Sequence, residues 1–114
     1  MKRLFLVAVL ISISACASQA QTAEQTPEAR GQALVETNCG SCHATGPAGE
    51  SPAPEAPPFR TLSQNYRVAD LEEALAEGIS VGHPAMPQFQ FEPEDVNAII
   101  VYLQSIQTQP PPAE

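Results

Sequence analysis

The chain has 114 residues, enough for one small domain, and its 13 acidic residues against five lysines and arginines give a net charge of −8. This charge excludes nucleic acid as a good partner and makes anionic membrane surfaces poor ones. A protein partner with a basic docking patch is a better match.

The first 20 residues have the pattern of a secretory signal peptide. A charged start precedes a run of ten residues, 4–13, which is apolar except for Ser12 and too short to span a membrane. Small residues before position 21 suit ordinary cleavage, whereas residues 13–16 resemble a bacterial lipobox that would make Cys16 the lipidated first residue. Both cuts predict an exported, periplasmic protein, and only the lipobox cut would attach it to the membrane, through a lipid at Cys16.

Removal of the leader would leave three arginines against all 13 acids, so the mature chain is more acidic still. Behind the leader we expect a polar linker at 21–26, one folded domain at 27–107 and a disordered, proline-rich tail at 108–114.

The first predicted helix begins with Thr26, a typical N-cap, followed by Pro27 at the first helical position and an acid in the first turn. It should end near Asn38. Gly31 costs this helix about 1 kcal/mol relative to alanine, which suggests that another helix crosses close to it. Three side chains are expected to face inward: Ala33, Leu34 and Val35.

A loop is predicted at residues 44–58, which hold five prolines that cannot donate to a helix or a sheet. A short helical piece is expected at 61–66, and a better helix at 68–77 with Gly78 as its C-terminal cap. Residues 79–92 have the composition of a second loop.

The last helix is predicted to begin at Pro93 and to end near Gln107. One apolar face recurs at helical spacing: Val96, Ile99, Ile100, Leu103 and Ile106. The predicted class is therefore all-α, with three main helices, a short helical piece and long loops. A domain this small normally needs a disulfide, a metal or a cofactor to be stable.

The stretch CGSCH, whose residues include Cys39, Cys42 and His43, carries the chemistry. A thiol–disulfide motif also uses C-x-x-C, but in a βαβ setting that this pattern lacks. A structural zinc site needs four ligands. His83 is the one candidate beyond the three in this stretch, so the adjacent Cys42 and His43 would both have to bind the metal, which is an awkward geometry. C-x-x-C-H is the signature of covalent haem attachment, in which two thiols join the haem vinyl groups and the histidine binds the iron. We favour haem c.

The second loop offers two candidates for the other axial ligand, Met86 and His83. Met86 lies between Ala85 and Pro87, in a proline-stiffened loop rather than on an apolar helix face, where methionine usually only fills space. A thioether favours ferrous iron and raises the reduction potential. We expect Met86 to be the ligand and His83 to stabilise the loop.

With these features, residues 27–107 resemble a small bacterial class I c-type cytochrome. The resemblance is carried by a glycine eight residues before Cys39, by CGSCH, by the segment APPF, by the loop GHPAMPQF and by a last helix ending IIVYL. It implies a cytochrome c fold wrapped around one covalently bound haem, with His43 and Met86 as the axial ligands of the iron.

The same resemblance implies two supporting contacts. A proline carbonyl should accept a hydrogen bond from the proximal imidazole, with Pro57 as the first candidate and Pro58 as its rival. Gly31 should pack against Tyr102 where the first and last helices cross.

The resemblance implies an electron carrier rather than an enzyme, acting as a monomer between protein partners. Better-known members carry lysines around the haem edge, whereas this chain has none after its leader, so their partners do not transfer. Arg60 and Arg67, two of the three mature cations, are candidates to pair with haem propionates. The main alternative is a haem subunit or sensor docked in a larger oxidoreductase, and a peroxidase would need a vacant sixth position.

Overall fold

The computed structural model describes residues 25–78 and 85–109, and every regular element within these ranges is helical. In chain order the elements are α1 (Pro27–Cys39), a first 3₁₀ helix (Phe59–Gln64), a second 3₁₀ helix (Val68–Leu71), α2 (Glu72–Glu77) and α3 (Pro93–Ser105). The predicted all-α class is therefore confirmed. The predicted leader with Cys16, His83 in the second loop and residues 110–114 lie outside the described ranges.

Helix α1 begins as its sequence predicts. The Thr26 hydroxyl accepts a hydrogen bond from the Ala29 backbone N–H at 3.2 Å, and Pro27 occupies the first helical position. The helix continues one residue beyond the predicted end, so Cys39 lies on its last turn. The first residue of the CGSCH stretch is therefore positioned by a regular helix.

Helices α1 and α3 cross at Gly31 with almost no space between their backbones. A β-carbon built at this glycine would overlap the Ala98 carbonyl oxygen and lie 2.8 Å from the Tyr102 β-carbon. Beside the crossing, Arg30 on α1 forms an ion pair with Asp95 on α3. The predicted close crossing and the pairing of Gly31 with Tyr102 are confirmed.

The apolar face predicted on α3 is buried at Val96, Ile99, Ile100 and Leu103, and Ile106 is partly buried. The inward face of α1 differs from the prediction, because Ala33 is exposed. The buried positions of α1 are Gly31 and Val35, four residues apart and so on one face. Ala33 lies two residues from each of them and therefore points away from α3.

The middle of the chain forms shorter elements than predicted. The first 3₁₀ helix begins at Phe59, earlier than the expected 61, because the Pro58 carbonyl already accepts from the Thr61 N–H at 3.1 Å. The helix predicted at 68–77 is a 3₁₀ turn followed by the six residues of α2. Gly78 ends α2 in the left-handed conformation, with φ of 72°, as predicted.

The segment after α3 is bound to the first 3₁₀ helix. The Thr108 N–H donates to the Arg60 carbonyl at 3.0 Å, and the Ser63 hydroxyl donates to the Gln109 carbonyl at 2.6 Å. Thr108 and Gln109 were expected to belong to the disordered tail, and these hydrogen bonds correct that prediction for the two residues. Within the described part of the chain, no helix is both long and apolar enough to cross a membrane.

Replacing Gly31 with alanine should lower the free energy of unfolding by about 1–3 kcal/mol, because the new methyl group overpacks a backbone contact. Chemical denaturation measures this change. Thr37→Ala alters an exposed residue of the same helix and should change stability by less than about 0.5 kcal/mol. Similar small losses in both variants would show that the crossing tolerates a side chain.

Candidate cofactor site

A cavity of about 360 Å³ lies at the centre of the fold, in the size range of cofactor pockets. Each described helix contributes to its wall, which is mostly apolar: Val35, Leu62, Leu71, Leu75, Phe89, Phe91, Ile99 and Leu103. The helices therefore pack around a space rather than only against one another. Such an arrangement suits a large apolar group that completes the core.

The CGSCH stretch folds into a tight turn at the end of α1. The N–H groups of Cys42 and His43 both donate to the Cys39 carbonyl, at 3.2 and 3.0 Å. This turn places Cys39 and His43 in the cavity wall, while Cys42 is exposed and is not part of that wall. Two of the three predicted motif residues thus line one cavity, and the third, Cys42, does not line it.

His43 is buried and is held by two contacts. Its Nδ1 lies 2.8 Å from the Pro57 carbonyl oxygen, and its ring centroid lies 4.4 Å from that of Phe59. A carbonyl oxygen can only accept, so Nδ1 must carry the proton and Nε2 is left with a free lone pair. The geometry therefore presets the tautomer that an iron ligand needs.

The two candidate prolines have different roles. The Pro58 carbonyl accepts from the backbone N–H and the hydroxyl of Thr61, at 3.1 and 2.8 Å, and so is used by the first 3₁₀ helix. The Pro57 carbonyl is the one that contacts His43. The hydrogen bond implied by the family resemblance is present at the first candidate rather than at its rival.

Met86 is partly buried and lines the same cavity as His43. The far end of its loop is attached to α2, because the Phe91 N–H donates to the Leu75 carbonyl at 2.9 Å. Phe89 and Phe91 stack with ring centroids 5.8 Å apart. The structure thus brings both predicted axial ligands to one apolar space, while the competing candidate His83 lies outside the described residues.

The electrostatic environment of Cys39 does not suit a thiol switch. Burial raises the pKa of the Cys39 thiol to about 11, whereas reactive thiols of redox motifs have lowered pKa values. In the described ranges, no group of three or more His, Cys, Asp or Glu side chains is placed to hold a metal ion. Cys39 is thus suited to a covalent anchor more than to thiol–disulfide exchange.

The two arginines predicted near the haem have other contacts. Arg60 donates to the Gly49 carbonyl at 2.7 Å, and Arg67 forms an ion pair with Asp70 at 2.9 Å. Neither arginine lines the cavity, although Asp70 does. Their pairing with haem propionates stays a prediction.

Three supporting residues were missed as site residues by the sequence analysis. The Phe59 ring lies against His43, and Asp70 is an acidic side chain in an apolar wall. The Tyr102 hydroxyl donates to the Thr45 carbonyl at 2.8 Å, which attaches α3 to the chain just after His43. Burial raises the pKa of Tyr102, so the phenol remains a donor at neutral pH. Phe59 had a sequence signal as the aromatic residue of APPF, and Tyr102 was predicted only as the partner of Gly31 at the helix crossing.

A family model described as cytochrome c oxidase, cbb3-type, subunit III matches residues 26–103. The match covers well over half of the chain and includes CGSCH, the Pro57 segment, Met86 and most of α3. Comparisons with curated proteins and with solved structures give no match.

Proposed function

Since the chain belongs to this cbb3-type subunit III family of c-type cytochrome domains, we propose that it transfers single electrons through one haem c ligated by His43 and Met86. The observation that carries the proposal is the shared cavity wall of Cys39, His43 and Met86, with the His43 tautomer set by Pro57. When bound, the haem supplies an iron that accepts one electron from a donor protein and releases it to an acceptor.

The residues present fit a covalently attached haem. The Cys39 thiol lies in the cavity wall, and the Cys42 thiol lies one tight turn further along the chain, so the two would bind the two haem vinyl groups. The apolar side chains around them exclude water from the iron. A low dielectric around the site disfavours the more highly charged ferric state, which helps to set the reduction potential.

The two axial residues act on the potential in opposite directions. The hydrogen bond from His43 Nδ1 to Pro57 makes the imidazole a stronger donor, which stabilises ferric iron. The thioether of Met86 favours ferrous iron. If His43 and Met86 both bind the iron, no position would be open for a substrate, and the haem would serve electron transfer rather than catalysis.

The partner is proposed to be a redox protein with a basic docking surface. Asp70 borders both the cavity and a surface groove that is also lined by Glu72 and Glu73. Negative charge therefore lies next to the cofactor cavity, where it would guide a basic partner to within transfer distance. Pairing of Arg60 or Arg67 with the haem propionates is a further part of this proposal.

Two forms of the function remain as candidates. The first is a free, monomeric periplasmic carrier, in accordance with a leader sequence and an acidic surface. The second is a haem subunit docked in a larger oxidoreductase, which the family description favours because it names a subunit of a terminal oxidase. In both, a lipid at Cys16 would restrict the domain to the membrane surface.

Replacing Met86 with alanine should abolish the weak far-red band of the sulfur–iron bond in the oxidised protein, because the thioether ligand is removed. Visible absorption of purified holoprotein measures the band. Leu75→Ala removes another side chain from the same cavity wall and should leave the band in place. A normal band in Met86→Ala would contradict the assignment of this ligand.

The intact mass of the secreted protein should equal the mature chain plus one haem. An additional diacylglyceryl mass with Cys16 as the first residue would identify the lipoprotein, and a start at 21 would identify ordinary cleavage. Cys42→Ala should keep haem through Cys39 alone and leave one vinyl group unsaturated, which shifts the haem absorption. A mass without haem under denaturing conditions would contradict covalent attachment.

Purification in mild detergent should separate the two forms of the function. A free carrier elutes alone, and its electron transfer to a basic partner slows as ionic strength rises, because salt screens the acidic surface. A fixed subunit co-elutes with membrane oxidoreductase subunits and remains with them as salt increases. Co-elution that survives high salt would contradict the carrier form.

A further inference from the structure

Gln107 lies just after α3 and joins it to the first 3₁₀ helix through three hydrogen bonds of its side-chain amide. Its Nε2 donates to the carbonyls of Phe59 and Leu103, at 2.8 and 2.6 Å. Its Oε1 accepts from the Ser63 N–H at 2.9 Å. One amide has two N–H donors, so these contacts satisfy both of them and occupy the oxygen as well.

The segment that Gln107 holds is the one that supports His43. Within residues 57–59, the Pro57 carbonyl accepts from the imidazole, and the Phe59 ring packs against it. The Phe59 N–H also donates to the Ala44 carbonyl at 2.9 Å, directly after His43. Phe59 is therefore fixed at its N–H by the CGSCH region and at its carbonyl by Gln107.

Other bonds from the same segment would not replace Gln107. Thr108 donates through its N–H and hydroxyl to the Arg60 carbonyl, at 3.0 and 3.1 Å, and Ser63 donates to Gln109. These bonds act further along the 3₁₀ helix. Among residues 106–109, Gln107 is the one whose side chain bonds the Phe59 carbonyl, two residues from the Pro57 carbonyl that orients His43.

We propose that Gln107 is a positioning residue for the proximal ligand, which fixes the Phe59 backbone and thereby sets the strength of the His43–Pro57 hydrogen bond. Loss of the amide would let residues 57–59 move away from the imidazole. A weaker hydrogen bond makes the imidazole a poorer donor, so ferric iron is less stabilised and the reduction potential rises. The inference rests on the haem ligation proposed above.

The test uses haem-loaded protein with Gln107→Leu, which deletes all three side-chain hydrogen bonds. In the reduced, diamagnetic state, NMR follows the exchange of the His43 Nδ1 proton with solvent, and electrochemistry follows the reduction potential. Exchange should accelerate about fivefold, the effect of losing about one net hydrogen bond, and the potential should rise. Gln104→Leu, the same change at an exposed position of α3, should alter neither quantity.

Gln107→Glu tests the donor role directly and also decides the matter if Gln107→Leu does not load haem. The new carboxylate keeps an acceptor for Ser63 but loses both donors, so exchange of the His43 Nδ1 proton should be faster than in the wild type at neutral pH. Protonation of that carboxyl at acidic pH restores one donor, and the ratio of the two exchange rates should then shrink.

Two outcomes would overturn the inference. A variant that is less stable to denaturant but has normal Nδ1 exchange and potential would show that Gln107 only anchors the end of α3. In Gln107→Glu, an Nδ1 exchange rate whose ratio to the wild-type rate does not change with pH would show that the donors do not act on His43. A wild-type protein without the sulfur–iron band would instead contradict the haem ligation itself, so the two failures are distinguishable.

Discussion

The close approach of α1 to α3 is the constraint on which the site depends. Because a β-carbon at Gly31 would overlap the Ala98 carbonyl, the two backbones are in direct contact. This contact fixes the direction of α1, and Val35 and Cys39 follow it on the same face toward the cavity. The position of the first cysteine is therefore set by a backbone contact two turns earlier in the helix.

The side of the cavity that holds His43 is fixed mainly by backbone carbonyl groups of segments without regular structure. Pro57 binds the imidazole, Ala44 binds the Phe59 N–H, and Thr45 accepts from Tyr102 on α3. Prolines reduce the conformational freedom that such a loop loses on folding. A loop without regular structure can thus orient one ring with a defined tautomer, provided that a helix holds each end.

Apolar and charged side chains lie in different parts of this small domain. The cavity wall is mostly apolar, whereas the chain as a whole has an excess of carboxylates over basic side chains. Asp70 lies where the two meet and is paired with Arg67. An electron-transfer protein gains from both features, since a dry interior sets the potential and a charged exterior selects and guides partners.

The sequence by itself determined the helical class, the cap at Thr26, the crossing glycine and the haem motif, because each depends on local residue types and spacing. The sequence did not predict three features. Ala33 is exposed, the helix predicted at 68–77 begins as a 3₁₀ helix, and Thr108 is hydrogen-bonded to the domain. Only the tertiary structure decided that Pro57 rather than Pro58 holds His43, and that Gln107 reaches Phe59. Those contacts join residues far apart in the chain, and no local periodicity encodes which carbonyl turns toward which donor.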